Sequence, residues 1–231
     1  MTNPTALIVG ASRGLGHAIA AELADRGWHV IGTVRDTTAR TPLHDLADRA
    51  DGRVEIEHLD ITEPDQLPPL RERLADRRLD VLFVNAGTTN NPQTPIGEVS
   101  TTDFVDVMVT NALSPMRVIE ALGDLVPPDG LIGAMSSGQG SITNNTAGSR
   151  EVYRASKAAL NMLMRSFAAR PSEAERALVV VAPGWIRTAL GGPDAPFTME
   201  ESVPLIVDVL LAKQGKPGLE YLDRNGETVP W

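Results

Sequence analysis

The run Thr5-Ala6-Leu7-Ile8-Val9 ends on Gly10, and the loop Gly10-Ala11-Ser12-Arg13-Gly14-Leu15-Gly16 leads straight into Leu15, Ile19 and Leu23, an apolar residue at every fourth position. A short unbroken apolar run reads as a strand buried on both faces, and the four-residue repeat as the core-facing stripe of a helix. A parallel strand cannot be joined to its neighbour by a hairpin, so a chain that begins this way is built from right-handed β-α-β crossovers. The loop glycines, spaced four and then two apart, serve a tight turn, a close backbone approach and close helix-to-strand packing. The helix N-terminus that opens behind them favours negative charge, and a pyrophosphate would supply it.

The same alternation recurs along the chain. Strands are expected near His29 to Val34, Val54 to His58, Val81 to Asn85, Gly130 to Met135, Leu178 to Ala182 and Leu219 to Leu222. Helices are expected around Leu43 and Leu46, from Gln66 to Leu74, from Thr102 to Gly123, from Tyr153 to Arg170 and from Val203 to Ala212. This pattern predicts an α/β chain: a single-domain Rossmann fold over 1–231, with a doubly wound parallel sheet of about seven strands and helices on both faces. An irregular stretch near 187–201 reads as a short substrate loop, with Trp185, Phe197 and Met199 as its candidate walls. The absence of cysteine excludes disulfides and thiolate metal sites, and the four histidines, His17, His29, His44 and His58, show no ligand spacing, so no metal is expected. A net charge of −9 disfavours nucleic acid and anionic membranes. No run is long enough to span a bilayer and Met1 to Thr5 carries no signal-peptide pattern, which points to the cytoplasm.

Two arginines stand where such folds sort dinucleotides. Arg13 lies in the glycine loop and Arg35 follows the second strand, while the nearest carboxylate, Asp36, comes too late to reach a ribose. Guanidinium groups suit a 2′-phosphate, so NADP(H) is preferred, with NAD(H) as the alternative. Asp60 and Asn85-Ala86-Gly87 fall at the carboxyl ends of strands, the ligand edge of such sheets, although their own turn chemistry explains them equally well. Later in the chain, Tyr153 and Lys157 are four residues apart. On a helix that spacing stacks phenol and ammonium on one face, where the positive charge would lower the tyrosine pKa from about 10.

Together the glycine loop, Asn85-Ala86-Gly87, Asn111, Ser136-Ser137, Tyr153 with Lys157, and Pro183-Gly184 resemble, in order and spacing, the short-chain dehydrogenase/reductase (SDR) superfamily. The phrases Ser136-Ser137-Gly138-Gln139-Gly140-Ser141-Ile142 and Tyr153-Arg154-Ala155-Ser156-Lys157-Ala158-Ala159-Leu160-Asn161, and the ending Asn225-Gly226-Glu227-Thr228-Val229-Pro230-Trp231, are similar to its C-factor/sniffer group of carbonyl reductases. The resemblance implies a catalytic tetrad of Asn111, Ser137, Tyr153 and Lys157. Ser137 would hold the substrate oxygen, Tyr153 would exchange its proton, Lys157 would hold the nicotinamide ribose and Asn111 would position a water. Ser136 and Ser141 stand close enough to compete for the serine's place. For the cofactor the resemblance implies contacts from Gly10, Ser12, Arg13, Gly14, Leu15, Gly16, Arg35, Asp60, Ile61, Asn85, Ala86, Gly87, Tyr153, Lys157, Pro183, Gly184, Ile186 and Thr188. Val9 stands where many members have a threonine, a change expected to loosen the turn without abolishing binding.

The implied activity is reduction of an aldehyde or ketone with NADPH, or the reverse alcohol oxidation, on a small-molecule substrate. A dinucleotide-binding sensor or signalling protein without turnover is the alternative. Phe104, Val105, Val107, Met108 and Val109 spread over several faces of one helix, which suggests burial on more than one side. A homodimer through the two central helices, frequent in the superfamily, would supply the second surface. Met108, Met116, Met162 and Met164 are expected to be packing residues.

Overall fold

A computed structural model describes residues 3–231; Met1 and Thr2, the head of the N-terminal stretch considered above, lie outside the described residues. Seven parallel strands form one sheet: β1 (Thr5–Val9), β2 (His29–Val34), β3 (Val54–His58), β4 (Val81–Val84), β5 (Leu131–Met135), β6 (Ala177–Ala182) and β7 (Gly218–Asp223), in the order β3-β2-β1-β4-β5-β6-β7. The order reverses between β1 and β4, the place where an open α/β sheet leaves a crevice at its carboxyl edge.

Period-two alternation sorts each strand's side chains between two cores. Ala6 and Ile8 point to the face covered by α1 (Gly14–Asp25), α2 (Pro42–Arg49) and α7 (Met199–Lys213), where they join Ile19, Leu23 and Leu210. Leu7 and Val9 join Ile119, Leu160 and Tyr221 on the face covered by α3 (Leu67–Arg73), α5 (Ser114–Leu122) and α6 (Glu151–Ala168). Strands buried on both sides are the reason these segments read as unbroken apolar runs.

Most element ends shift from expectation by a residue or two, and two places differ more. The helix expected from Thr102 to Gly123 is split: α4 (Thr101–Met108) passes through a wider π turn at Val109–Leu113 before α5 begins. Pro115, near the start of α5, has no N–H to return to the Asn111 carbonyl, so a regular ladder cannot run through this point. Helix α7 starts at Met199 rather than Val203, because Thr198 and Glu201 form a reciprocal cap with bonds of 3.2 and 2.9 Å. That cap trims the loop expected over 187–201 to end at Thr198.

Met116 and Met164 are buried as expected, whereas Met162 is 62% exposed. Phe104, Val105 and Leu113 are also exposed, so the apolar faces of α4 and its neighbours are not all covered within one chain. No helix among the described residues is long and apolar enough to cross a membrane.

Candidate active site

The carboxyl edge of the sheet opens into one continuous cleft of about 1650 Å3. The glycine loop forms its floor. Gly10 sits at φ +85°, and a Cβ there would lie 2.8 Å from Ala86, so the turn admits no side chain. The Gly10 N–H donates to the Thr33 hydroxyl at 2.9 Å and the Ala11 N–H to the Thr33 carbonyl at 3.0 Å. Thr33 on β2 thereby supplies, from a neighbouring strand, a hydroxyl of the kind missing at Val9. Sequence reasoning missed Thr33, because only the β1–β2 register, with Ile8 opposite Gly32, brings it beside the loop.

Gly16 is the one expected cofactor residue that does not face the cleft. A Cβ on it would fall 2.1 Å from the Gly10 carbonyl oxygen and 2.6 Å from the Asn85 amide, so its role is close helix-to-loop packing. The Asn85 amide in turn donates to the Gly10 carbonyl at 3.2 Å, tying the β4 end to the loop. Ser12, Arg13, Gly14 and Leu15 line the cleft, and α1 begins there with no side-chain cap and no acidic residue in its first turn. Its orphan N–H groups and Arg13 are a donor set that fits a pyrophosphate.

At the far end of the cleft Arg35 is largely exposed, 4.0 Å from Asp60. The Asp60 carboxylate accepts from the Thr62 N–H and hydroxyl at 2.9 and 2.7 Å, so the turn chemistry and the cleft position hold together. Asp36 is turned back on Thr38, whose hydroxyl and N–H hold its carboxyl below the usual carboxylate range. Arg40, also missed, lines this end but is paired with Asp45 and Asp48 at 2.7 and 2.6 Å. Ile61, Ala86, Gly87, Pro183, Gly184, Ile186 and Thr188 all line the cleft as expected.

Tyr153 and Lys157 come from α6 and line the same cleft as the loop. Lys157 is buried and donates to the Met135 carbonyl at 2.8 Å; burial pulls its pKa from 10.5 down to about 8. A Cβ on Gly87 would stand 3.3 Å from the Asn111 Oδ1 and 3.5 Å from the Lys157 Nζ, so this glycine leaves room for the lysine. The tyrosine departs from the expected downward shift: burial pushes the phenol up, and the Ser137 hydroxyl and the Arg150 charge pull it only partly back. The Lys157 ammonium is 5.9 Å from the Tyr153 ring centre and already bonded to Met135. It therefore shares the helix face, but the positive charge acting on the phenol is that of Arg150.

Ser137 is presented to the cleft at the start of a single 3₁₀ turn, where its hydroxyl accepts from the Gln139 N–H at 3.2 Å. Ser136 also borders the cleft, but its buried hydroxyl donates to Asn161 at 2.7 Å. Ser141 is buried, and its hydroxyl accepts from the Asn144 N–H at 3.1 Å. Asn111 lies in the π turn, fully buried and outside the cleft lining. Its amide nitrogen donates to the Thr88 carbonyl and the Ser156 hydroxyl, both at 2.9 Å, and its oxygen accepts from the Thr88 N–H at 2.8 Å. This clamps the loop after β4 and leaves one Oδ1 lone pair for the expected water.

Of the three expected substrate walls, Trp185 and Met199 line the cleft, with Leu190 beside them. Phe197 does not. Its ring carries the Arg224 guanidinium at 3.4 Å and packs on the core, while Phe197 and Ile186 pair as a short bridge.

A parallel sheet with a glycine loop, an anion-ready helix end and a serine, tyrosine and lysine in the same cleft defines a dinucleotide-dependent oxidoreductase architecture. Residues 10–203 match the family model described as Enoyl-(Acyl carrier protein) reductase, and the chain belongs to this family of short-chain dehydrogenases/reductases. A short-chain dehydrogenase/reductase of Burkholderia multivorans with bound NADP is 64% identical, with a TM-score of 0.97 over 100% of both chains. A carbonyl reductase of Pseudomonas aeruginosa in complex with NADP is 33% identical, with a TM-score of 0.92 over 100% of both chains. The C-signal protein of Myxococcus xanthus is 34% identical over 155 residues, 66% of this chain and 93% of that protein.

Proposed function

We propose that this protein is an NADPH-dependent carbonyl reductase, also able to run the reverse alcohol oxidation, and that Tyr153 is its general acid and base. The observation that supports the reading is that Ser137, Tyr153 and Lys157 line the same cleft as the glycine loop. Pyrophosphate would rest on the N–H groups of the loop and of α1, a 2′-phosphate between Arg13 and Arg35, adenine near Asp60 and Ile61, and the carboxamide against Pro183, Gly184, Ile186 and Thr188. NADP in the Burkholderia and Pseudomonas relatives supports this cofactor. When bound, the nicotinamide supplies or accepts a hydride.

The chain's own part is to hold the carbonyl oxygen and move a proton. The Ser137 hydroxyl lies within hydrogen-bonding reach of the Tyr153 phenol in the cleft lining, and a carbonyl oxygen bound between them would accept two hydrogen bonds that strengthen as negative charge develops on it. Burial keeps the phenol protonated at neutral pH, and in the reductive direction it gives up that proton to the nascent alkoxide. The Lys157 ammonium, held by the Met135 carbonyl, would hold the nicotinamide ribose.

The reading takes the chain as one domain in the cytoplasm and the 187–198 stretch as its substrate loop. It also includes a homodimer in which the exposed Phe104, Val105, Leu113 and Met162 are covered by a second copy.

Tyr153→Phe removes the proton with little change of volume. NADPH oxidation with a reducible aldehyde should fall by about 10²- to 10⁴-fold while NADPH still binds. Near wild-type turnover would overturn the mechanism.

A further inference from the structure

Arg150 stands three residues before Tyr153, and its guanidinium carbon lies 5.0 Å from the centre of the Tyr153 ring. It lines the same cleft as Ser137, Trp185, Leu190 and Met199. The backbone reaches it through three consecutive left-handed residues, Gly148, Ser149 and Arg150, at φ +66°, +60° and +53°. Such a run is disfavoured for residues that carry a Cβ and persists only where surrounding contacts maintain it. It leads into α6 with the guanidinium over the Tyr153 ring.

A guanidinium taken out of water ordinarily finds a carboxylate or a carbonyl. On the same helix and just past its end, Arg154 donates to the Ser149 carbonyl at 2.8 Å and Arg170 pairs with Glu120 at 2.6 Å, while Arg165 lies over the Trp231 ring at 4.8 Å from its centre. Arg150 makes no ion pair among the described residues, and its Nε is buried without a hydrogen-bond partner. Gln139, also in the cleft lining, has a buried side-chain oxygen without a partner as well. Asp106 on α4 is the exposed carboxylate on this side of the cleft and is not paired with Arg150. The other cation at this end, Lys157, is spent on Met135.

We propose that Arg150 is a specificity residue that binds an anionic group on the substrate, so that the enzyme takes carbonyl compounds carrying a carboxylate across an apolar spacer. The proposal rests on the reductase reading above. The planar fork of a guanidinium matches a carboxylate in two parallel hydrogen bonds. Trp185, Leu190 and Met199 offer the spacer an apolar wall, and Ser137 with Tyr153 takes the carbonyl oxygen at the other end.

The test measures NADPH oxidation with 4-formylbenzoate and with its methyl ester, a neutral compound of nearly the same shape. For the wild-type protein kcat/KM should be at least about tenfold higher for the acid, the scale of a charge-assisted hydrogen-bond pair. Arg150→Met should erase the preference, mainly through KM for the acid, and Arg150→Lys should retain part of it. Equal losses on both aldehydes in Arg150→Met would mean that Arg150 acts only on the Tyr153 proton, which overturns the proposal. A wild-type protein that reduces both aldehydes without preference overturns it too, with no variant needed, and leaves the reductase reading standing. Turnover of neither aldehyde sinks both.

Discussion

The Tyr221 phenol donates its hydrogen to the backbone carbonyl of Ser137, so a residue of the edge strand β7 holds the turn that presents the cleft serine. The phenol is buried, stacks on Trp231 at 5.2 Å between ring centres and adjoins the Ser136–Asn161 pair. Asn161 also reaches the Gly140 carbonyl at 3.4 Å, on the far side of the same turn. Ser137 therefore owes its position to contacts more than 80 residues away in the chain, since Tyr221 follows it by 84.

Tyr221→Phe keeps the ring and its packing but leaves the Ser137 carbonyl without its partner. Stability should fall by about 1–2 kcal/mol in urea titration. kcat should fall roughly tenfold as Ser137 loses its aim, with the NADPH dissociation constant nearly unchanged. An unaltered kcat beside the lost stability would confine Tyr221 to a packing role.

Arg35 is exposed at the end of β2, with only a 4.0 Å contact to Asp60. Replacing it by alanine should weaken NADPH binding by about tenfold and leave NADH binding within a factor of about two. Titration of nicotinamide fluorescence reads both constants. Parallel losses for the two cofactors would remove the 2′-phosphate from the account of this end of the cleft.

Lys157 gives a pH signature. Its folded-state pKa, about 8, lies below the ordinary 10.5, so the folded chain releases this proton first. The cost of burying the ammonium is full below pH 8 and is relieved as pH rises toward 10.5; over that window the unfolded chain holds more protons and stability rises with pH. Burial pushes Tyr153 and Tyr221 upward from the ordinary tyrosine value, so neither releases its proton earlier than a free tyrosine. Relative to Lys157→Met, the wild-type protein should gain about 2 kcal/mol between pH 7 and pH 9.5. Denaturant titrations at the two pH values measure the difference, and a flat difference would show that the ammonium is not desolvated.

Met162 is 62% exposed on α6, and Phe104, Val105 and Leu113 are exposed on and just after α4. A dimer covering them predicts that Phe104→Asp together with Met162→Asp yields a monomer in sedimentation velocity while the wild-type protein sediments as a dimer. A wild-type monomer would leave these residues as ordinary surface.

The sheet was legible in local pattern because its five inner strands, β1, β2, β4, β5 and β6, are buried on both faces and stand out as short apolar runs, while the edge strands β3 and β7 carry polar residues and were placed by the alternation with helices. The glycine loop and the Tyr153–Lys157 pair were legible for a related reason: their spacing is local, and a strand-to-helix turn or a helix face carries it into space unchanged. The break in the long helix was not read from the sequence, although Pro115 is what bars a regular ladder there. Its consequence, the π turn that buries Asn111 against Thr88 and Ser156, depends on partners from two other segments. The direction of the Tyr153 shift was not legible, because desolvation is a property of everything packed around the phenol and no spacing in the chain encodes it.

By itself, then, the sequence determined the alternation of strands and helices, the glycine loop between β1 and α1 and the helix face that carries phenol and lysine, all set by local periodicity and backbone preference. Only the tertiary structure decided which serine faces the cleft. Ser136 and Ser137 are chemically identical and adjacent, and the choice falls to Asn161 and Tyr221, which engage the first hydroxyl and hold the carbonyl of the second. It likewise decided that Thr33 buttresses the loop and that Arg150 reaches the phenol, since both depend on packing and register between segments distant in the chain.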